Sequence, residues 1–71
     1  MTKFARRLKR YRQRARLSVR QAAEACRTST QRIYQIESGD GYPSLVLAGR
    51  MADAYGVSID DIRKHLPESK R

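Results

Sequence analysis

The 71-residue chain predicts an all-α fold of five short helices, and three observations carry that expectation. Apolar residues recur at helical spacing along most of the length. No run of alternating β-branched residues is long enough for a strand, and serines or glycines that start or stop helices punctuate the stripes. The breaks fall at Gly39-Asp40-Gly41-Tyr42-Pro43, at Gly56 and at Pro67, with no internal repeat, low-complexity tract or linker. The expected organisation is one domain over residues 1–66, with a disordered tail over 67–71.

In the first segment Phe4, Leu8, Tyr11 and Ala15 recur at intervals of four, three and four, one stripe of a helix over about residues 3 to 15. Its other faces are nearly all Arg and Lys. A basic helix lying on a membrane surface is the alternative, but it calls for a broader apolar face rich in Trp, Phe or Leu.

Ser18 and Gln21 have the spacing of a capping box, and Val19, Ala22, Ala23 and Cys26 mark the apolar stripe of a second helix over about 19 to 26. Small Ala22, Ala23 and Ala25 allow a neighbouring helix to come close. Cys26 reads as a small buried hydrophobe rather than a reactive thiol. Ser29 is a good N-cap for a third helix over about 30 to 37, with Ile33 and Ile36 inward and Gly39 as a left-handed stop. This leaves Thr30, Gln31, Arg32, Tyr34 and Gln35 on the outer faces, either as solvent-facing filler or as side chains that reach base edges.

Ser44 is placed to cap a fourth helix over about 45 to 55, with Leu45, Ala48, Met51, Ala52 and Tyr55 inward and Gly56 as its stop. Val46 and Leu47 then fall outside the core stripe, as does Leu66 near the end. Ser58 and Asp61 suggest another box, opening a last helix over about 59 to 65 that buries Ile59 and Ile62. Its first-turn Asp60 and Asp61 complement the helix dipole.

The net charge of +9 is unevenly placed. Residues 1 to 32 carry eleven Lys/Arg against Glu24 alone, while residues 33 to 71 carry five against six acids. Such asymmetry predicts a basic face turned toward a polyanion. Charge by itself does not separate DNA, RNA and an anionic membrane, and a merely solvated face is the plain alternative.

Several classes are disfavoured. A lone Cys26 forms no internal disulfide, and with His65 it falls short of a zinc ligand set, so no metal is expected. The one His lies near the end and no nucleophile has a base at a helical spacing, which argues against an enzyme. No apolar run approaches a membrane span, and Met-Thr-Lys-Phe-Ala-Arg-Arg lacks the apolar core of a secretory signal. The expected location is cytoplasmic, with no cofactor and no small-molecule ligand.

Leu17-Ser18, Ala23, Ile33, Ile36-Glu37 and Gly39, then Pro43-Ser44-Leu45, Ala52 and Gly56-Val57-Ser58, together resemble the phage repressor and Cro helix-turn-helix domains, the XRE family, over about residues 4 to 66. The resemblance implies that helices two and three form a DNA-reading unit, used as a dimer on a two-fold operator. Base-reading positions carry over to Thr30, Gln31 and Gln35, with Arg32 one step round facing a guanine edge or a phosphate. Backbone-contact positions carry over to Ser18, Ser29 and Ser38, and Tyr34 and Tyr42 are assigned the same role. Arg12 and Glu37 match a pair joining the first helix to the end of the third, with the guanidinium also facing phosphate; the plain alternative is an exposed ion pair worth about 0 to 1 kcal/mol.

Three positions depart from that pattern. Val19 replaces a Gln that meets phosphate in many members, leaving Arg20 as the substitute. Arg27 stands where the turn commonly has Gly. Asp40 and Gly41 occupy a loop that often supplies basic residues, leaving Tyr42 as its donor and shifting cationic character to Lys3, Arg6, Arg7, Lys9 and Arg10.

The function these features predict is sequence-specific transcriptional regulation, most simply a repressor occupying double-stranded DNA with inverted half-sites as a homodimer. An antitoxin-like protein that binds a partner protein and autoregulates its operon is the alternative, and Val46, Leu47 and Leu66 are its candidate contacts. A non-specific nucleic-acid binder acting through charge alone is a third.

Overall fold

The computed structural model describes residues 3–64 and is all-helical, with α1 (Lys3–Arg14), α2 (Val19–Cys26), α3 (Thr30–Ser38), α4 (Leu45–Tyr55) and α5 (Ile59–Arg63). Pro67, Leu66, His65 and the expected tail lie outside the described residues.

Four serines set the starts of α2 to α5. Each Ser Oγ accepts a backbone N–H three residues on: Ser18 from Gln21, Ser29 from Arg32, Ser44 from Leu47 and Ser58 from Asp61. At Ser18 and Ser58 the box closes, because Gln21 and Asp61 side chains accept from the serine N–H groups. Each cap is worth about 1 kcal/mol against alanine.

The first four helices end in one way. An N–H two residues past the helix, three past it in α1, bonds back across the last turn, in Leu17 to Arg12, Thr28 to Ala23, Asp40 to Gln35 and Val57 to Ala52. This ending demands a left-handed residue just before that donor. Gly39 and Gly56 supply it at φ 89° and 72°, whereas Arg16 and Arg27 adopt it at φ 62° and 58°. A side chain in that region costs roughly 1 to 2 kcal/mol, so α1 and α2 close at the expense of backbone strain. α1 accordingly stops at Arg14, and Ala15, expected on the inward stripe, is only half-buried beyond it.

The core gathers Phe4, Leu8 and Tyr11 of α1, Ala22, Ala23 and Cys26 of α2, Ile33 and Ile36 of α3, and Leu47, Ala48, Met51, Ala52 and Tyr55 of α4, closed by Ile62 of α5. Leu17, Val19, Val57 and Ile59 pack against its margin. Burying each large side chain contributes about 1.5 to 3 kcal/mol. That gain offsets the strained ends and the charge crowding on α1.

Two expectations for α4 are overturned. Leu45 is 70% exposed and Leu47 is 5% exposed, the reverse of the predicted assignment. Both lie about a quarter turn from the centre of the Ala48–Met51–Ala52–Tyr55 stripe. Side chains lean toward the helix N-terminus, so Leu45, at the first helical position, projects past the end of the core while Leu47 leans over it. The apolar edge left open is Leu45 and Val46, not Val46 and Leu47. α5 also stops at Arg63 rather than 65, and α3 runs one residue further than expected, to Ser38.

Candidate nucleic-acid interface

α2 and α3 pack across the turn Arg27-Thr28-Ser29, and the way α3 divides its faces defines the candidate surface. Ile33, Ile36 and Glu37 are buried. Gln31, Gln35 and Ser38 follow at i, i+4 and i+7 on the opposite side, with all three exposed. The side chains of Thr30, Gln31, Tyr34 and Gln35 make no hydrogen bond to any described residue. Their polar atoms therefore face outward and unpaired.

Each flank of this stripe meets a different element. On one side Tyr34, 61% exposed, joins Lys9, Arg12, Val19, Glu37 and Ser38 around an open cleft of about 210 Å³. On the other side Arg32 is half-buried, and its Nη2 donates to the Tyr42 carbonyl at 2.9 Å. Arg32 thus fastens α3 to the following loop, with its guanidinium already holding one partner. Tyr42 rests its ring on Phe4, with centroids 5.2 Å apart and planes tilted by 50°.

Arg12 and Glu37 form a bidentate pair across α1 and α3. Nε donates to Oε2 at 2.7 Å and Nη2 to Oε1 at 3.0 Å, while Nη1 donates to the Leu17 carbonyl at 2.8 Å. Their side chains are only 10% and 7% exposed, so this is an interior pair and not an exposed one. Hydrogen bonding to Glu37 raises the Arg12 guanidinium above its ordinary value, against the opposing pull of burial. It lines the cleft with Lys9, but Glu37 lines it too and balances the guanidinium charge, so Lys9 is the cation there that no described acid pairs with.

Ser18 and Ser29 use their Oγ lone pairs to cap α2 and α3, which leaves both hydroxyl protons free to donate outward at exposed helix starts. Arg20, in the first turn of α2, is exposed and lacks a described partner. Ser38 differs: its hydroxyl lies 3.1 Å from the Gln35 carbonyl and 3.2 Å from Asp40 Oδ2, so its one proton is engaged locally. Asp40 is therefore a neighbour that opposes an anion at this corner.

α1 brings seven cations and no acid, in the sequence KFARRLKRYRQR. Like charges three or four residues apart cost about 0.2 to 0.5 kcal/mol per pair. Lys3 and Arg6 in the first turn also oppose the helix dipole, at about 0.3 to 1 kcal/mol each. Among the described residues the only other ion pairs are the local Arg63–Asp60 and Lys64–Asp61 contacts of α5. The positive charge of α1 is thus left almost wholly to solvent or to a partner.

Sequence reasoning did not find the Arg32–Tyr42 bond or the Phe4–Tyr42 contact. Gly41 was no signal of that bond, since a Cβ there would stand at an ordinary contact distance of 3.6 Å from Arg32 Nη1. Among the described residues no cluster of His, Cys, Asp and Glu fits a metal ion, and no helix is long and apolar enough to cross a membrane. Cys26 is fully buried, and burial pushes its thiol up.

No curated protein matches the chain. Residues 3–66 match the family model described as "Helix-turn-helix domain". The two capped helices, their turn and the exposed third helix lie within that span, and the chain belongs to the helix-turn-helix domain family.

Proposed function

We propose that this protein is a sequence-specific DNA-binding regulator, acting as a repressor by occupying its operator from the cytoplasm. α3 lies in the major groove, where Gln31 and Gln35 pair with adenine N6 and N7 and Thr30 offers its hydroxyl and methyl. The supporting observation is the outer stripe of α3: two exposed amides with no partner among the described residues, bordered by cap hydroxyls and cations. Ser18, Ser29, Arg20, Tyr34 and Arg12 hold the sugar-phosphate backbone and set register. Arg32 and Tyr42 act together at the loop flank, since the bond between them fixes where each can reach. Ser38 takes part only by releasing Gln35 or Asp40.

Two copies paired through the Leu45–Val46 edge place their third helices about 34 Å apart, one turn of B-DNA, on inverted half-sites roughly ten base pairs between centres. A partner protein on the same edge is the competing reading, and the oligomeric state of Leu45→Glu/Val46→Glu separates the two. A monomeric variant supports self-association; an unchanged dimer rejects this edge.

Selection of bound sequences from random DNA, with the wild type and with Gln31→Ala/Gln35→Ala, tests the reading. The wild type returns a short inverted repeat and the variant a relaxed one. An unchanged motif rejects α3 as the reader, and no motif for the wild type rejects sequence specificity.

A further inference from the structure

One stripe of α1 has no part in that interface. Lys3, Arg6, Arg7 and Arg10 follow at i, i+3, i+4 and i+7, and among the described residues they line a shallow hollow to which neither α2 nor α3 contributes. At 100° per residue they stand about 120° to 180° round α1 from Arg12. Arg12 binds α1 to the end of α3 and lies on the buried side of α1 with Phe4, Ala5, Leu8 and Tyr11, so the stripe points away from the core on the outer face of α1. Lys9 belongs to the other side, in the cleft with Tyr34 and Ser38. A duplex lying along α3 meets Lys9 and Arg12 and leaves the stripe unoccupied.

None of the four pairs with a described acid. They repel one another along the helix, and two of them oppose its dipole, with no acid among the described residues to compensate. A membrane does not fit as the occupant: Phe4, Leu8 and Tyr11, the apolar residues α1 would insert, are in the core. Single-stranded RNA recognition leans on aromatic or amide side chains, and the stripe offers neither. Guanidinium forks in a straight row suit the phosphates of a duplex.

We propose that this stripe binds the backbone of a second DNA segment, so that a molecule seated on one duplex through α3 holds another at its back. The proposal rests on α3 being the side that faces the first duplex.

The test fixes one duplex to a bead, loads the protein, and offers a labelled duplex of scrambled sequence at about 0.15 M salt, where charges beyond roughly 8 Å are screened. The wild type captures the second duplex. Lys3→Gln/Arg6→Gln/Arg7→Gln/Arg10→Gln lowers capture on the order of tenfold or more, since its phosphate contacts are lost, and Arg6→Lys/Arg7→Lys/Arg10→Lys retains it. The Gln variant keeps its base preference and the salt dependence of binding to the first duplex, and a urea titration confirms its fold. Capture that persists in the Gln variant assigns bridging to paired α3 surfaces and overturns the proposal. A drop of about 3 to 4 in the slope of log K against log salt places the stripe on the first duplex and overturns it too. Displacement by single-stranded RNA at lower concentration than by duplex DNA replaces it with RNA binding. A wild type with no base preference that still bridges through the stripe refutes the role of α3 as reader and leaves the stripe's own role standing.

Discussion

Replacing Glu37 by Gln removes one charge from an interior pair and leaves the other where it is. Arg12 would keep its bond to the Leu17 carbonyl and one hydrogen bond to the amide oxygen, but no counter-charge, at a site where its side chain is 10% exposed. Stranding a buried charge in this way costs about 3 to 5 kcal/mol, and the retained amide bond puts Glu37→Gln near 3 and Glu37→Ala near 5. A domain of 71 residues has a total stability of roughly 4 to 11 kcal/mol, so Glu37→Gln removes between about a quarter and three quarters of it. Arg12→Met/Glu37→Leu, which takes away both charges, recovers most of the loss, because well-packed apolar replacements of buried pairs are often neutral or stabilising. Urea unfolding followed by helical circular dichroism at pH 7 measures each variant, and the double-mutant cycle gives the coupling. A loss below about 1 kcal/mol for Glu37→Gln would show a solvent-screened pair of the ordinary surface kind and would refute the interior role assigned to it.

Arg27→Gly relieves a left-handed side chain at φ 58° and raises stability by roughly 1 kcal/mol, which for a domain this size moves Tm up by about 4 to 8 °C in calorimetry; a lower Tm would mean that the arginine holds a contact outweighing its strain. Hydrogen bonds from Ser58 hold the Asp61 carboxyl below its usual value, so the folded state binds fewer protons there than the unfolded one. The contribution of the α5 box is present above the ordinary carboxylate range and lost as pH falls from that range down through the lowered folded value; Asp61→Asn flattens that part of the acid titration, and an unchanged profile would exclude the box as its source.

The helix starts were legible because one serine oxygen satisfies a backbone donor by purely local chemistry, and Ser18 with Gln21 or Ser58 with Asp61 announces itself within four residues. Gly39 and Gly56 were legible as stops for the same reason. Arg16 carries no such mark, and Arg27 was marked only by the resemblance that puts a glycine there: both turn left-handed because the helices they end must reverse toward packed neighbours, and tertiary gain overrides the local preference. Leu45 and Leu47 fell to a related limit. Periodicity ranks positions by angle around the axis, while burial also depends on how far along the axis the neighbouring helices reach. In the candidate interface, the outward stripe of α3 followed from where Ile33 and Ile36 must go. The interior setting of Arg12 and Glu37 did not, since 25 residues separate them and only the α1–α3 packing closes water out. Arg32 was legible as an outward cation but not as one already held by a loop carbonyl.

The contact between Phe4 and Tyr42 ties together regions that otherwise look independent. Phe4 sits in the opening turn of α1, Tyr42 leans on it from the loop, and the Tyr42 carbonyl in turn restrains Arg32 at the edge of α3. Anything that unravels that opening turn frees the loop and, through it, one border of the third helix. The amino-terminal turn therefore works as a brace whose loosening is felt at the far rim of the candidate surface, and a change made there is not remote from the proposed binding.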